Sequence, residues 1–478
     1  MITLKEFNLI KKKCDSILKN TQNHFFVANN SLNIIKGHPY HLSIFKLSYL
    51  IILKKLLLNI FKLIIDLILS LNNIFIKKNI QKKKFQTLLI SNLINIKELN
   101  KDDYIYGDLE QNFKKNKLNF YKLIINHTKY SNGYVEGLLK NHQNISVIDF
   151  KNNSFLCNFK TICILSSFFL LFLIKSIIYF DKFYLLIGID FLNISTKKNL
   201  NLYKNFKDKT KNFSYNKIIL PYEGYSWERI ILMNSFDKGI KKRIGYNFSA
   251  ICKHQHSIFR KLKKRFEPDI IFTVGKYTQK KFKKINIPSY ILGSVRKYNG
   301  SKNVKKLKKK NILVLPEGIV SECKKLFYFS IACAKNNPFM NFIWRLHPSQ
   351  KFEIILKQIN INKKHLPKNI ILSKSSFFKD IANSNYCIYR GSTSVITAIQ
   401  DGVYPLYYNA NEKINIDPTF DLKIWKTEIN NLKDFQDFTS GNFKKVEKNI
   451  IEKNKAKRFA QYYFQKMNSK GLINILKN

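Results

Sequence analysis

The stretch Tyr389–Tyr407, YRGSTSVITAIQDGVYPLY, decides how the chain is read. Two apolar runs of strand-like composition enclose four small residues, Gly391 to Ser394, and a short helical segment that closes at Asp401-Gly402. The order is strand, tight turn, helix, turn, strand. A turn of Gly, Ser and Thr opening a helix gathers backbone N–H groups and hydroxyls at one spot, which suits an anion.

The same alternation runs on either side of it. Downstream of residue 310, strands are expected over 311–316, 341–346, 369–373, 386–390 and 403–408, with helices near 321–335, 351–359, 376–384 and 392–400. Short apolar strands alternating with helices argue a parallel sheet wound on both faces. Upstream, strands are expected over 85–91, 119–128, 145–150, 217–221, 267–275 and 288–294. The Lys-rich stretch 297–310 reads as a linker. The 478 residues thus divide into a helical N-terminal extension (1–84), a first α/β domain (85–300), a second (301–455) and a C-terminal helix (456–478).

Hydrophobic residues at 45% and aromatics at 14% exclude a disordered chain. A formal net charge of +53 asks for an anionic partner such as nucleic acid, an anionic membrane or a phosphorylated substrate. The lysines are spread through every region, not gathered on one stripe with exposed aromatics, so no nucleic-acid partner is expected. Seven scattered cysteines without a C-x-x-C pair indicate neither a zinc ribbon nor a disulfide framework, and fit a reducing cytoplasm.

Two apolar stretches raise the question of a membrane. Over Phe45–Ile76 the polar residues Ser48, Lys55, Asn59, Lys62, Asp66, Ser70 and Asn73 fall mostly three or four positions apart, one narrow polar stripe on a long apolar helix. Its charges are too many for a span. An interfacial helix followed by the Lys-rich segment Lys77–Lys84, and a mostly buried helix packed on the first domain, are equally compatible. The second stretch, TICILSSFFLLFLI (Thr161–Ile174), is short for a span and reads as a core or re-entrant helix. The first twenty residues lack the apolar core and cleavage site of a signal peptide. The expected location is the cytoplasm, peripheral on the inner membrane surface.

In a wound parallel sheet, ligands bind beyond the carboxyl ends of the strands. Three features of the second domain lie there: Glu317 and Gly318 in LPEG, Arg345, His347 and Pro348 in RLHPS, and Gly391, Ser392, Thr393 and Ser394 in RGSTS. Ser and Thr hydroxyls and a free helix start suit a phosphate, and His347 can donate to a phosphate or base oxygen. A plain helix cap would explain the Ser/Thr trio equally simply. In the first domain, Glu223 in PYEGYSWER stands at a strand end beside Gly224 and Trp227, fit for a general base, with Glu228 as a second acid nearby. A cap of the following helix is the simpler role for Glu223. His254 and His256 read as surface or substrate-side residues, and no Asp-x-Asp triplet points to a divalent ion holding a nucleotide diphosphate.

With these residues in view, the chain resembles bacterial surface-carbohydrate biosynthesis proteins of the GT-B glycosyltransferase type. The likeness rests on LLISNLINI…DDYIYGDLEQNFKK (88–115), LPYEGYSWERIIL (220–232), IGYNFSA (244–250), RLHPS and RGSTSVITAIQDGVYPL, over roughly residues 85–410. The acid-Gly, His-Pro and Ser/Thr series is similar to that of bacterial polysialyltransferases. The resemblance implies two Rossmann-like domains with an interdomain cleft, the first taking the acceptor and the second a nucleotide-sugar donor, CMP-linked in those relatives. It implies Glu223 as base, His347 as nucleotide contact and Ser392–Ser394 as phosphate contacts, with no metal and no other cofactor. The acceptor would be an oligosaccharide or lipid-linked sugar of capsule or lipopolysaccharide. The chain departs from the pattern at Tyr222, where a second acid is expected. It departs again at NFS after IGY, where Gln-His-Ser/Thr is expected; Gln255-His256-Ser257 follows a little later. Nucleotide-sugar 2-epimerases share the two-domain layout and are the enzymatic alternative. A non-catalytic basic nucleic-acid or assembly protein is the other.

Overall fold

In the computed structural model, the unbroken apolar runs become buried parallel strands, since a strand covered on both faces has no solvent side to mark with polar residues. Residues 2–33, 38, 42–71, 82–96, 99, 103–139, 144–151, 154–284, 286–296, 310–347, 350–442 and 449–477 are described. Pro348, the expected linker over 297–309 and the segment 72–81 lie outside them.

A two-residue strand β1 (Lys83–Lys84) pairs with β5 (Phe213–Ser214) beside the first main sheet. That sheet comprises β2 (Thr87–Leu93), β3 (Phe120–Asn126), β4 (Ile145–Ile148), β6 (Lys217–Pro221), β7 (Lys242–Asn247), β8 (Ile270–Thr273) and β9 (Ser289–Ile291). Its strands are parallel, in the order β4-β3-β2-β6-β7-β8-β9. The second sheet comprises β10 (Lys310–Leu315), β11 (Met340–Trp344), β12 (Ile370–Leu372), β13 (Tyr386–Tyr389), β14 (Tyr404–Tyr408) and β15 (Thr427–Ile429). It too is parallel, in the order β12-β11-β10-β13-β14-β15. These are the two Rossmann-like domains of a GT-B-like layout. Each sheet reverses its winding once, between β2 and β6 and between β10 and β13, and such reversals open the crevice where α/β proteins bind ligands.

Besides the short pair β1 and β5, two strands of the main sheets lie beyond the expected set. β7 begins with Lys242 and Arg243, and the buried Arg243 is matched by Asp269, at 2.7 Å, rather than by an apolar neighbour. β15 has three residues and no apolar run. The C-terminal segment, expected as one helix, forms two, Ile450–Tyr463 and Lys470–Lys477, which cross back to the first domain. There Gln465 N donates to Val274 O (2.9 Å), Ser294 N to Gln465 O (2.8 Å), Asn468 N to Leu292 O (2.7 Å) and Tyr463 Oη to Ile251 O (3.0 Å). A Cβ at Gly275 would lie 2.4 Å from Tyr463 O, so only glycine lets the returning chain come this close.

The N-terminal extension is built into the first domain. Thr3 and Glu6 close a capping box on helix Leu4–Asn20, and Asp15 on that helix meets buried Arg260 at 2.6 Å. Cys14, Leu18 and Val27 share a core with Phe172, Phe183 and Phe191. Helix Tyr49–Leu69 carries most of the polar stripe read from the sequence, and its Lys55, Asn59, Asp66 and Ser70 face inward while Lys62 stays exposed: buried Asn59 donates to Ile189 O (3.1 Å), and Asp66 pairs with the fully buried Lys197. Its apolar residues face out, with Leu50 81% and Phe61 61% exposed. The second apolar stretch also differs from expectation. It extends over Phe155–Ile178, 24 residues, so it is not short for a span but long and apolar enough for one, and it is no core helix, because only Asn158, Leu165 and Phe172 are buried. A helix hydrophobic nearly all round has only a narrow seam to dock when protein covers a single side.

Candidate functional site

Strand register brings the second domain's motifs together. Leu315 of β10 is paired with Tyr389 of β13, and Val314 with Trp344 of β11. Glu317 and Gly391 are therefore each two residues beyond paired positions. A Cβ on Gly391 would fall 2.3 Å from Glu317 Oε1 and 2.4 Å from its Cδ, so the missing side chain is the space the carboxylate occupies. The His347 ring lies against Gly318, its Cγ 3.4 Å from where a Cβ would be. Gln350 Nε2 donates to Gly318 O (2.9 Å) and ties the two loops. From the extension, fully buried His38 puts Nε2 3.5 Å from Glu317 Oε2.

The turn after β13 is braced from below. Buried Arg390 binds Glu322 Oε2 through Nε at 2.6 Å and the carbonyls of Tyr408 and Asn409 through Nη1 at 2.9 and 3.0 Å. The helix starts at Ser394, two residues later than expected, and Thr393 at its N-cap makes no side-chain capping bond. Its Oγ1 instead accepts from Arg296 Nη1 and Nη2, both at 3.2 Å. Ser392 is buried. Arg345 is turned to other work: its Nη1 donates to Asp380 Oδ2 (2.7 Å) and Ser375 O (2.8 Å).

In the first domain, Glu223 follows β6 at the point where the winding reverses. The capping role belongs to Glu228, third residue of helix Ser226–Asp237. Its Oε2 accepts from the N–H groups of Glu223 (2.8 Å), Gly224 (2.7 Å) and Tyr225 (2.9 Å). Burial and then the Glu223 charge push the Glu228 carboxyl well above its usual range, against the pull of those N–H groups. Glu223 itself is half-buried and accepts from Ser249 Oγ. Gly224 has φ +84°, and a Cβ there would lie 2.6 Å from Ser257 Oγ. Both serine segments, NFS and the later Gln255-His256-Ser257, thus reach the acidic loop. His256 is no surface residue: it is buried, bonded to Arg260 Nη2 at 2.8 Å and edged by Phe7 at 5.7 Å. Burial and Arg260 hold it neutral, well below the usual histidine range.

Arg296 was not anticipated, and it joins the halves. It follows β9, stacks over Phe464 at 4.5 Å and binds Thr393; burial draws its guanidinium down from the usual arginine range, against the opposing pull of Tyr246, Tyr463 and the Glu223 carboxylate. The signal was an Arg at the edge of a segment otherwise rich in Lys, since a planar guanidinium suits a fixed fork of acceptors. His347 is open to solvent, and partial desolvation followed by Arg296 keeps its ring below the ordinary histidine pKa, hence neutral near pH 7.

A cavity of about 1170 Å³ opens beside this centre, over the carboxyl edge of the first sheet. Asn126 to Thr128 at the end of β3, Asp149 to Lys151 after β4 and Tyr225 to Trp227 after β6 line it, and the extension contributes Asn33, Lys55 and Asp66. Its lining residues all belong to the extension and the first domain. Among the described residues no group of three or more His, Cys, Asp or Glu is gathered as a metal ion requires.

No protein-family model matches this chain, and no curated protein matches it. Solved structures do. The calicheamicin glycosyltransferase CalG4 superposes with a TM-score of 0.49 at 9% identity, over 79% of this chain and 94% of that one. MurG of Acinetobacter baumannii gives 0.45 at 10% identity, over 82% and 99%. The UDP-GlcNAc 2-epimerase of Neisseria meningitidis, bound to UDP-GlcNAc, gives 0.44 at 12% identity, over 83% and 100%. Glycosyltransferases and an epimerase thus both appear among the similar structures.

Proposed function

We propose that this protein is a glycosyltransferase that moves a sugar from a nucleotide-activated donor to an acceptor hydroxyl. The observation that carries the proposal is the meeting of Glu317, His347 and Gly391 on one rim with Arg296 and the Glu223 loop. Arg296, Thr393 and the neutral His347 offer one cation and two hydrogen-bond donors, the set a donor phosphate needs. Glu317 accepts only, so it suits hydroxyls of the nucleotide ribose or the sugar. Gly391, Gly318 and Ser392 keep the rim open around it. Glu223 takes the proton from the acceptor hydroxyl. The oxygen attacks the anomeric carbon, the bond to the donor phosphate breaks, and the leaving phosphate keeps the electron pair. Its charge develops beside Arg296 and His347, where fixed donors lower the barrier. One base on one face implies inversion. The acceptor sits in the cavity against Tyr225, Ser226 and Trp227, next to Glu223.

Glu228, committed to three backbone N–H groups, acts as a positioning residue for the base. That commitment favours transfer over epimerisation, which would need a second free acid or base at one sugar carbon. A CMP-linked donor and a capsule or lipopolysaccharide acceptor complete the proposal on the strength of the sequence resemblance. The test is thermal-shift screening against CMP-, UDP-, GDP- and CDP-linked sugars, repeated with His347→Ala. Stabilisation by one donor class, lost in the variant, is the expected result. No stabilisation by any of them overturns the reading.

A further inference from the structure

The helices Tyr49–Leu69 and Phe155–Ile178 are inside out for a protein surrounded by water. On the first, the polar residues Lys55, Asn59 and Asp66 point to the cavity or the body, while Leu50, Leu57, Phe61 and Ile68 are all more than half exposed. On the second, 11% of the most apolar stretch is buried, and Leu156, Leu170, Ile174 and Ile178 are likewise more than half exposed. The two helices touch each other and share the short helix Lys182–Phe191 behind them, so their outer faces lie on one side of the molecule. Contiguous apolar surface of this extent marks a binding surface.

The charge on and around it selects the occupant. Lys54, Lys62 and Lys160 are exposed on or beside the apolar faces, on a chain of net charge +53, and long Lys stems can lie along apolar surface with the ammonium at its edge. Cations around an apolar field match anionic headgroups over acyl chains; a second copy of so basic a chain would be repelled. The chain enters Phe155–Ile178 from β4 and leaves it toward β6, two strands of the same sheet. The ten-residue helix that follows reaches about 15 Å, half of a hydrocarbon core of roughly 30 Å, and is largely buried in protein. The next helix, Ile194–Thr210, is largely buried on the first domain as well, so neither segment between Phe155–Ile178 and β6 is free to recross, and the apolar helix lies in one leaflet.

We infer that the outer faces of Tyr49–Leu69 and Phe155–Ile178 seat the protein in one leaflet of an anionic bilayer, with the cavity behind the first helix opening at headgroup level. Taken with the proposed transfer reaction, on which this last step rests, the acceptor is a lipid-borne sugar that rises from the leaflet past Lys55 to the Glu223 loop.

Flotation of the full chain tests this with vesicles of phosphatidylcholine containing 30% phosphatidylglycerol, and with phosphatidylcholine alone. The expected result is flotation with the anionic vesicles and at least about tenfold weaker partitioning of the double variant Phe61→Glu, Ile174→Glu. Both sites are more than half exposed, so the fold should survive, and donor-induced thermal shifts in the variant should match wild type. That readout separates a failure of membrane seating from a failure of the nucleotide-sugar reading. As a second probe, a tryptophan placed by Phe61→Trp should be quenched by brominated acyl chains. A wild-type chain that ignores both vesicles, a double variant that floats as well as wild type, an unquenched Trp, or a soluble dimer that buries this face each overturns the inference.

Discussion

Removing the Asp66 carboxylate by Asp66→Ala should destabilise the protein in a way its partner can reverse. Asp66 comes from helix Tyr49–Leu69 and pairs with Lys197, which is 0% exposed, while Asp66 is 24% exposed. Deleting one partner of a buried pair leaves the other charge uncompensated, at about 3–5 kcal/mol. The cavity beside Asp66 admits water toward the stranded ammonium, so the lower end applies, about 3 kcal/mol. For a domain of this size, that lowers the unfolding midpoint by about 6–12 °C. The double variant Asp66→Ala, Lys197→Met removes the charge and keeps most of the volume, so it should recover to within about 1 kcal/mol of wild type. Differential scanning calorimetry of the four proteins reads both effects. A single variant within about 1 kcal/mol of wild type, or a double variant no better than the single, would refute the inward orientation of the polar stripe.

Other expectations follow from the site. Gly391→Ala must push the Glu317 carboxylate off the rim; donor affinity by calorimetry should fall about 10- to 100-fold, the worth of a charge-assisted hydrogen bond or two, and combining it with Glu317→Ala should add little. Glu223→Gln should lower kcat about 10²- to 10⁴-fold with donor affinity intact, measured by single-turnover transfer once a donor is known. His24 is pushed down to about 4 by burial first, then by Arg265 and Lys207. Between pH 6.5 and 4 the unfolded chain therefore binds a proton that the folded chain refuses, and stability falls as pH falls through that window. His24→Gln should make the urea midpoint fall less steeply with pH across it, the remaining slope belonging to the other depressed histidines His127, His254, His256 and His347, and an unchanged slope would contradict the assignment.

Much of the second domain was legible because its central strands β10, β13 and β14 are mostly buried and short, so apolar runs and turn residues mark them directly. LPEG, RLHPS and RGSTS could be placed on one edge because parallel winding puts strand ends there whatever their separation in sequence. Three things escaped. β7 hides its interior position behind Arg243, whose partner Asp269 lies far along the chain. Arg296 stood just before the stretch read as a linker, outside every expected strand and motif, and nothing local says that it stacks on Phe464. Periodicity showed that Lys55, Asn59 and Asp66 share a face of one helix; it cannot say whether that face is inside or out, because the answer depends on Lys197 and Ile189 in later segments. For Glu223 and Glu228 the sequence left capping and catalysis open, and only the three N–H contacts to Glu228 divide the roles.

The return of the C-terminal helices to the first domain also orders events during synthesis. Carbonyls of Val274 and Leu292 and the N–H of Ser294 wait for partners at Gln465 and Asn468, far later in the chain. A nascent chain therefore holds an unfinished first domain until residues 462–468 leave the ribosome, and a premature stop before Tyr462 would strip Gly275 and Gly293 of the backbone of Tyr462, Tyr463, Lys466 and Met467 that packs against them. Shortened products of this chain should be lost to proteolysis as whole molecules, including the half that was completely translated.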